Sequence, residues 1–246
     1  MTGQVRIGIG GWVYEPWRGG FYTAGLRQKD ELAYVGEHLT ATEVNATYYS
    51  SQKPATFANW AKAVPDGFQF ALKASRYCTN RKVLAEAGDS IAKFTGQGIA
   101  ELGDRLGPIL WQFMPTKRFD PDDFGAFLTL LPDAVDGVRL RHALEVRHES
   151  FDDPAFLAMA REAGAAVVLA DHEDYPSITG HDAGFAYLRL MRTQTDEPAG
   201  YAPGDIDHWA GRAVDLSKAG DVYGFFISGA KERNPAAALA MIAALP

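Results

Sequence analysis

The feature that most constrains this chain is an alternation. Short apolar runs bounded by turn residues recur about eight times, separated by stretches with helical periodicity. The strand-like runs are VRIGIG (Val5–Gly10), ATEVN (Ala41–Asn45), FQFALK (Phe68–Lys73) and PILWQF (Pro108–Phe113), then ALEVR (Ala143–Arg147), AAVVLAD (Ala165–Asp171), AYLRL (Ala186–Leu190) and VYGFFIS (Val222–Ser228). Between them Phe57, Trp60, Ala61 and Val64 form one helical stripe, and Ile206, Trp209, Ala213 and Leu216 another. Asp120–Pro121 and Asp153–Pro154 are helix starts, Gly164 is a stop, and Asn234–Pro235 begins the last helix.

About eight β-then-α units in 246 residues is the count of a TIM-type (β/α)8 barrel, an α/β fold in a single domain over residues 1–246. A doubly wound open sheet is the competing α/β solution. The first strand ends in GIGGW, but its glycine spacing does not match the dinucleotide-binding fingerprint, and aromatics follow rather than a helix. No long linker, low-complexity tract or short repeat interrupts the order.

In a barrel, chemistry gathers where strands run into βα loops. The last residues of these strands are strongly polar: Glu43 and Asn45 on the second, Lys73 on the third and Gln112 on the fourth. Glu145, Arg147 and then His148 close the fifth, Asp171 the sixth, Arg189 the seventh and Ser228 the eighth. Side chains alternate along a strand, so Glu43 shares a face with Asn45, and Glu145 with Arg147. By the same parity Tyr187 pairs with Arg189, and Val167, Leu169 and Asp171 share a face. Polar side chains on one interior face near one rim converge on the barrel axis.

Arg147 and Arg189 match a clamp for a phosphate or carboxylate, because the guanidinium fork fits those groups. The same arginines would serve equally as braces for Glu43 and Glu145 in a structural ion pair. Lys73, partly desolvated, is a candidate acid, base or Schiff-base amine. Glu145, Asp171 and His148 complete the candidate acid–base set, with an outward-facing, loop-capping histidine as the plainer role for His148. The aromatic segment GGWVYEPWRGGFYTAGL and the later Tyr48 supply walls: Trp12, Tyr14 and Tyr48 for a ligand, Trp17 and Phe21 as a plug over the barrel end.

No cofactor is expected. Glu43, Glu145, Asp171, His148, His172 and His181 are the residues a divalent metal would draw on, but they form no compact ligand motif. The net charge of −7 disfavours a broad nucleic-acid face, and a small anionic molecule is the expected partner. The longest apolar runs are too short to cross a bilayer, and the first residues lack a signal-peptide pattern. The single cysteine, Cys78, excludes an internal disulfide and fits a reducing, cytoplasmic setting. Nothing in the sequence sets the oligomeric state.

GGWVYEPWRGGFY, TEVNATYY, FALKAS, LGPILWQF, ALEVRHESF, YLRL and ISGAKERNPAAAL, in that order over nearly the whole chain, resemble the YecE-like proteins, a family whose function is not known. The resemblance implies a TIM barrel. It also implies that Glu43, Asn45, Lys73, Gln112, Glu145, Arg147, His148, Asp171 and Arg189 correspond to the family's polar strand-end residues. The chain departs from the family pattern at Thr23, Asn80, Met191–Arg192 and Ile227–Ser228, where proline, histidine, histidine–glycine and paired asparagines are usual. On this reading the chain is an enzyme acting on a small anionic substrate by acid–base chemistry, with a hydrolase, lyase or isomerase reaction. A phosphodiesterase-like nucleic-acid barrel and a non-catalytic ligand-binding barrel are the alternatives.

Overall fold

A computed structural model describes residues 2–178 and 183–246; His181, one of the residues considered for a metal, lies outside these. The strands are β1 (Val5–Gly10), β2 (Ala41–Val44), β3 (Gln69–Lys73), β4 (Leu106–Gln112) and β5 (His142–Glu145). The sixth strand, β6, is in two pieces, Ala166–Val167 and Leu169–Asp171, followed by β7 (Phe185–Leu190) and β8 (Asp221–Phe226). Every pairing among them is parallel.

Closure falls at β6. Its first piece pairs with β5 (Ala143 opposite Ala166), its second with β7 (Leu190 opposite Asp171). Val168 between them donates its N–H to the Leu144 carbonyl at 3.0 Å. The nine hydrogen-bonded segments are therefore eight strands in one closed ring, with β8 seated between β7 and β1. This is the expected (β/α)8 barrel.

Helix starts follow the side-chain chemistry. Asp120 accepts from the N–H groups of Asp122 and Asp123 at 3.1 and 3.2 Å, opening the helix Pro121–Thr129. Asp153 does the same for Pro154–Glu162 through the Ala155 N–H at 2.8 Å, and Gly164, at φ +61°, ends that segment. The third signal behaves differently. Asn234 is the first residue of the helix Asn234–Ala244 rather than its cap, and its side chain is buried against a neighbouring loop.

Two apolar layers result. Ile7, Ile9, Leu72, Trp111, Leu144, Leu188 and Phe226 face outward to the helices, while Ala41, Ala71, Leu110, Ala143, Ala166, Val168, Tyr187 and Phe225 fill the barrel. On the inner wall, alanines on β2, β3, β5 and β6 stand with the large rings Tyr187 and Phe225 of β7 and β8, which fill the interior from one side. Buried Cys78 belongs to the outer layer, where desolvation pushes its thiol up to about 12. Beneath the inner layer, at the N-terminal end, Arg6 and Arg141 meet Asp221 at 3.0 and 3.5 Å, and Tyr223 donates to Gln69. No described helix is long and apolar enough to cross a membrane.

Candidate active site

The inner face of the C-terminal rim carries a buried charge cluster. Arg189 continues the inward face of Tyr187 on β7 and is 2 % exposed. Its Nη2 and Nε donate to Glu43 of β2 at 3.0 and 3.1 Å, and its Nη1 donates to both oxygens of Glu145 of β5 at 2.7 and 2.8 Å. One guanidinium thus ties three strands across the barrel. Tyr187 donates to Glu43 at 2.8 Å, Gln112 to Glu145 at 2.5 Å, and Arg147 Nη2 to Glu145 at 3.0 Å. Met191, where the related pattern has histidine, places its sulfur 3.9 Å from Arg189 Nη1 and closes the cluster on that side.

Burial alone would raise the Glu145 carboxyl; Arg189 and Arg147 outweigh that and hold it down to about 2. Glu145 is thereby held as an anion, with both oxygens occupied by Arg189, Arg147 and Gln112. The Arg189 guanidinium is likewise fully engaged with carboxylates.

Lys73 differs. It projects from the end of β3 beside this cluster, with its ammonium 4.2 Å from the centre of the Tyr48 ring. Among the described residues no carboxylate lies within 4.0 Å of it. Desolvation brings its amine down to about 8, against the opposing pull of Glu43. Tyr48 accepts a hydrogen bond from Asn80 at 2.9 Å, so the second and third βα loops together set the ring under Lys73.

Above the cluster opens a cavity of about 610 Å³, lined by Gly10, Trp12, Asn45, Lys73, Gln112 and Arg147 among others. Of the residues expected at the site, these and Arg189 reach the cavity, while Glu43 and Glu145 lie beneath it. Tyr14 packs against Trp17 with ring centres 5.2 Å apart. Trp17 is buried, as a plug should be.

Two expected members stand apart. Asp171 is on the opposite face from the one expected, because Ala166, Val168 and Ala170 point into the barrel. It looks toward the helices, accepting from the buried Tyr201 hydroxyl at 2.7 Å with Arg192 3.8 Å away. His148 accepts the Ser150 N–H on Nδ1 at 3.0 Å and so caps the short turn Glu149–Phe151, with Arg118 on its other nitrogen at 3.4 Å. Neither lines the cavity, and nor do Tyr14 and Tyr48, expected as ligand walls: Tyr14 lies against Trp17 and Lys231, and Tyr48 under Lys73. Among the described residues no three His, Cys, Asp or Glu side chains are grouped to hold a metal ion.

The strand-end reading missed Tyr49, Lys231 and Asn234, which also line the cavity. Tyr49 was visible as an aromatic after β2. Lys231 lies in the loop beyond the last strand and Asn234 opens the helix after it; both stand in ISGAKERNPAAAL, but parity along a strand does not reach them.

Comparison with known proteins agrees with the fold. A DUF72 family protein from Enterococcus faecalis V583 superposes with a TM-score of 0.74 at 18 % identity, over 98 % of this chain and 95 % of that one. One from Thermotoga maritima MSB8 gives 0.74 at 21 %, over 97 % of each. A more distant barrel, SacUVDE, gives 0.59 at 10 %, over 98 % of this chain and 97 % of its own, a likeness of fold alone. The search of curated proteins gave no match. The family model described as "Protein of unknown function DUF72" matches residues 6–246, and the chain belongs to that family.

Proposed function

We propose that this barrel is an enzyme that takes a small anionic substrate into the rim cavity and transfers a proton through Lys73, with Arg147 as the anion anchor. The observation that carries the reading is the contrast between the cations. Arg189 is spent on two buried carboxylates, whereas Lys73 faces the cavity with an amine near 8 and no carboxylate partner. An amine close to the ambient pH exists in both protonation states and can give or take a proton. Arg147 uses Nε and Nη2 on one Glu145 oxygen, at 3.3 and 3.0 Å, which leaves Nη1 for a ligand. Glu43 and Glu145 act as positioning residues through these arginines. Asn45, Gln112 and Trp12 supply polar contacts and a flat wall.

A cavity of about 610 Å³ suits a metabolite-sized molecule better than a nucleic-acid strand, and the net charge of −7 points the same way. The test is a thermal-shift screen of phosphorylated sugars, nucleotides and small carboxylates. We expect hits among small anions that disappear in Arg147→Gln, a variant that leaves the Arg189 pairs in place. Hits confined to oligonucleotides would reject the reading, and a hit that is bound but never consumed would make the protein a ligand-binding barrel.

A further inference from the structure

We infer that the eighth βα loop forms a second anion subsite in the same cavity, built on Lys231 and Asn234, so that the substrate carries two anionic groups. This rests on the proposed anionic substrate and adds its charge and shape. One group would meet Lys73 and Arg147, the other Lys231 and Asn234.

The loop is built to bring Lys231 back over the barrel mouth. After β8, Ser228 and Gly229 both take left-handed conformations, at φ +63° and +56°. A side chain at Gly229 would stand 2.6 Å from Thr193 Oγ1 and 2.7 Å from its carbonyl oxygen, so only glycine allows this approach. Ala230 then donates its N–H to the Thr193 carbonyl at 2.8 Å. On the other side the Trp17 indole donates to the Lys231 carbonyl at 2.9 Å, and the Lys231 ammonium sits 4.2 Å from the centre of the Tyr14 ring. Backbone and side chain are both held by the aromatic segment after β1.

The donors at this place are unspent. Among the described residues no carboxylate lies within 4.0 Å of the Lys231 ammonium, and its burial lowers its pKa. Asn234 is 1 % exposed and lines the cavity; its Oδ1 accepts from the Thr193 hydroxyl at 2.9 Å. With Oδ1 engaged by Thr193, the amide Nδ2 is the group Asn234 can offer as a donor to an anion in the cavity it lines.

Charge and position give the two-group conclusion. Glu43 and Glu145 are matched by Arg189 and Arg147, which leaves the Lys73 and Lys231 ammoniums uncompensated around the cavity. Around the ring, β8 is separated from β3 by β1 and β2, and from β5 by β6 and β7. Lys231 therefore faces the Lys73–Arg147 wall from across the mouth.

The experiment is calorimetric titration with α,ω-alkanebisphosphonates of increasing chain length and the matching alkyl monophosphonates, at neutral pH. The best bisphosphonate is expected to bind at least about tenfold tighter than its monophosphonate. Lys231→Gln should abolish that advantage while leaving monophosphonate affinity unchanged, and Lys231→Arg should keep it. Arg147→Gln should weaken both ligands. A bisphosphonate advantage that is missing in the wild type, or that survives Lys231→Gln, would overturn the second subsite even if Arg147→Gln still acts. Binding lost in Lys231→Gln but indifferent to Arg147→Gln would instead retain the subsite and reject Arg147 as anchor. No binding of either ligand would reject both.

Discussion

Replacing Arg189 by methionine is expected to cost about 3–5 kcal/mol of folding free energy, because it strands two buried carboxylates. In the intact protein one guanidinium makes four hydrogen bonds of 3.1 Å or less to Glu43 and Glu145, and all three side chains are at most 2 % exposed. The melting temperature should fall by on the order of 10 °C. The loss should depend on pH with a definite sign. The native Glu145 carboxyl sits near 2, below its ordinary 4.5, so its contribution is full above about 4.5 and fades as pH falls toward 2. In Arg189→Met the first of the two arginines that hold the Glu145 carboxyl down is gone, so the variant should lose less stability on acidification than the wild type does. Chemical denaturation across this range checks both. The triple variant Glu43→Gln, Glu145→Gln, Arg189→Met should recover most of the loss. A single variant within about 1 kcal/mol of wild type would show that the cluster is not holding the three strands together.

Lys73→Met is expected to leave the fold intact and remove the chemistry. Turnover of a substrate found in the screen should fall by about 10²–10⁴-fold, the usual contribution of a positioned acid or base. Two readouts separate this from a structural role. Malonate stays doubly ionised from neutral pH upward, so wild-type affinity for it should decline as pH rises through about 8, where Lys73 loses its proton. The variant should show no such step. Stability carries the complementary sign. The folded amine near 8 lies below the ordinary 10.5, so between these values the unfolded chain holds a proton that the fold has lost. Wild-type stability relative to Lys73→Met should therefore rise with pH through that window. A flat difference would mean that Lys73 titrates as an ordinary surface lysine.

Much of the barrel was legible because a strand with a filled interior on one side and helices on the other must alternate. The expected strands coincide with the observed ones to within a few residues, and the inward faces of β2, β5 and β7 follow from parity alone. Parity held at β6, where Val167, Leu169 and Asp171 do share a face, but AAVVLAD is apolar on both faces and so does not show which one points inward; the structure turns Ala166, Val168 and Ala170 inward. The small residues were the better guide, since Ala41, Ala71 and Ala143 mark the same inner wall on other strands. Of the two roles read for His148, the loop cap is the one the structure shows: the strand ends at Glu145 and the imidazole caps the turn that follows. Lys231 needed knowledge of where a loop returns, and that depends on Gly229 meeting Thr193, residues far apart in the chain.

The seating of β8 between β7 and β1 has a consequence for the order in which the protein becomes competent during synthesis. The residues from Asp221 onward emerge after the other seven strands; they form the final stave of the ring and, through Ile227, Lys231 and Asn234, one wall of the cavity. Trp17, made among the first, waits for the Lys231 carbonyl to complete its hydrogen bond. A growing chain therefore holds its acidic residues and aromatic segment ready but has neither a closed ring nor a finished ligand cavity. Ligand capture therefore waits for β8 and the loop after it, and a ligand present in the cell can secure the fold only after that stretch has left the ribosome.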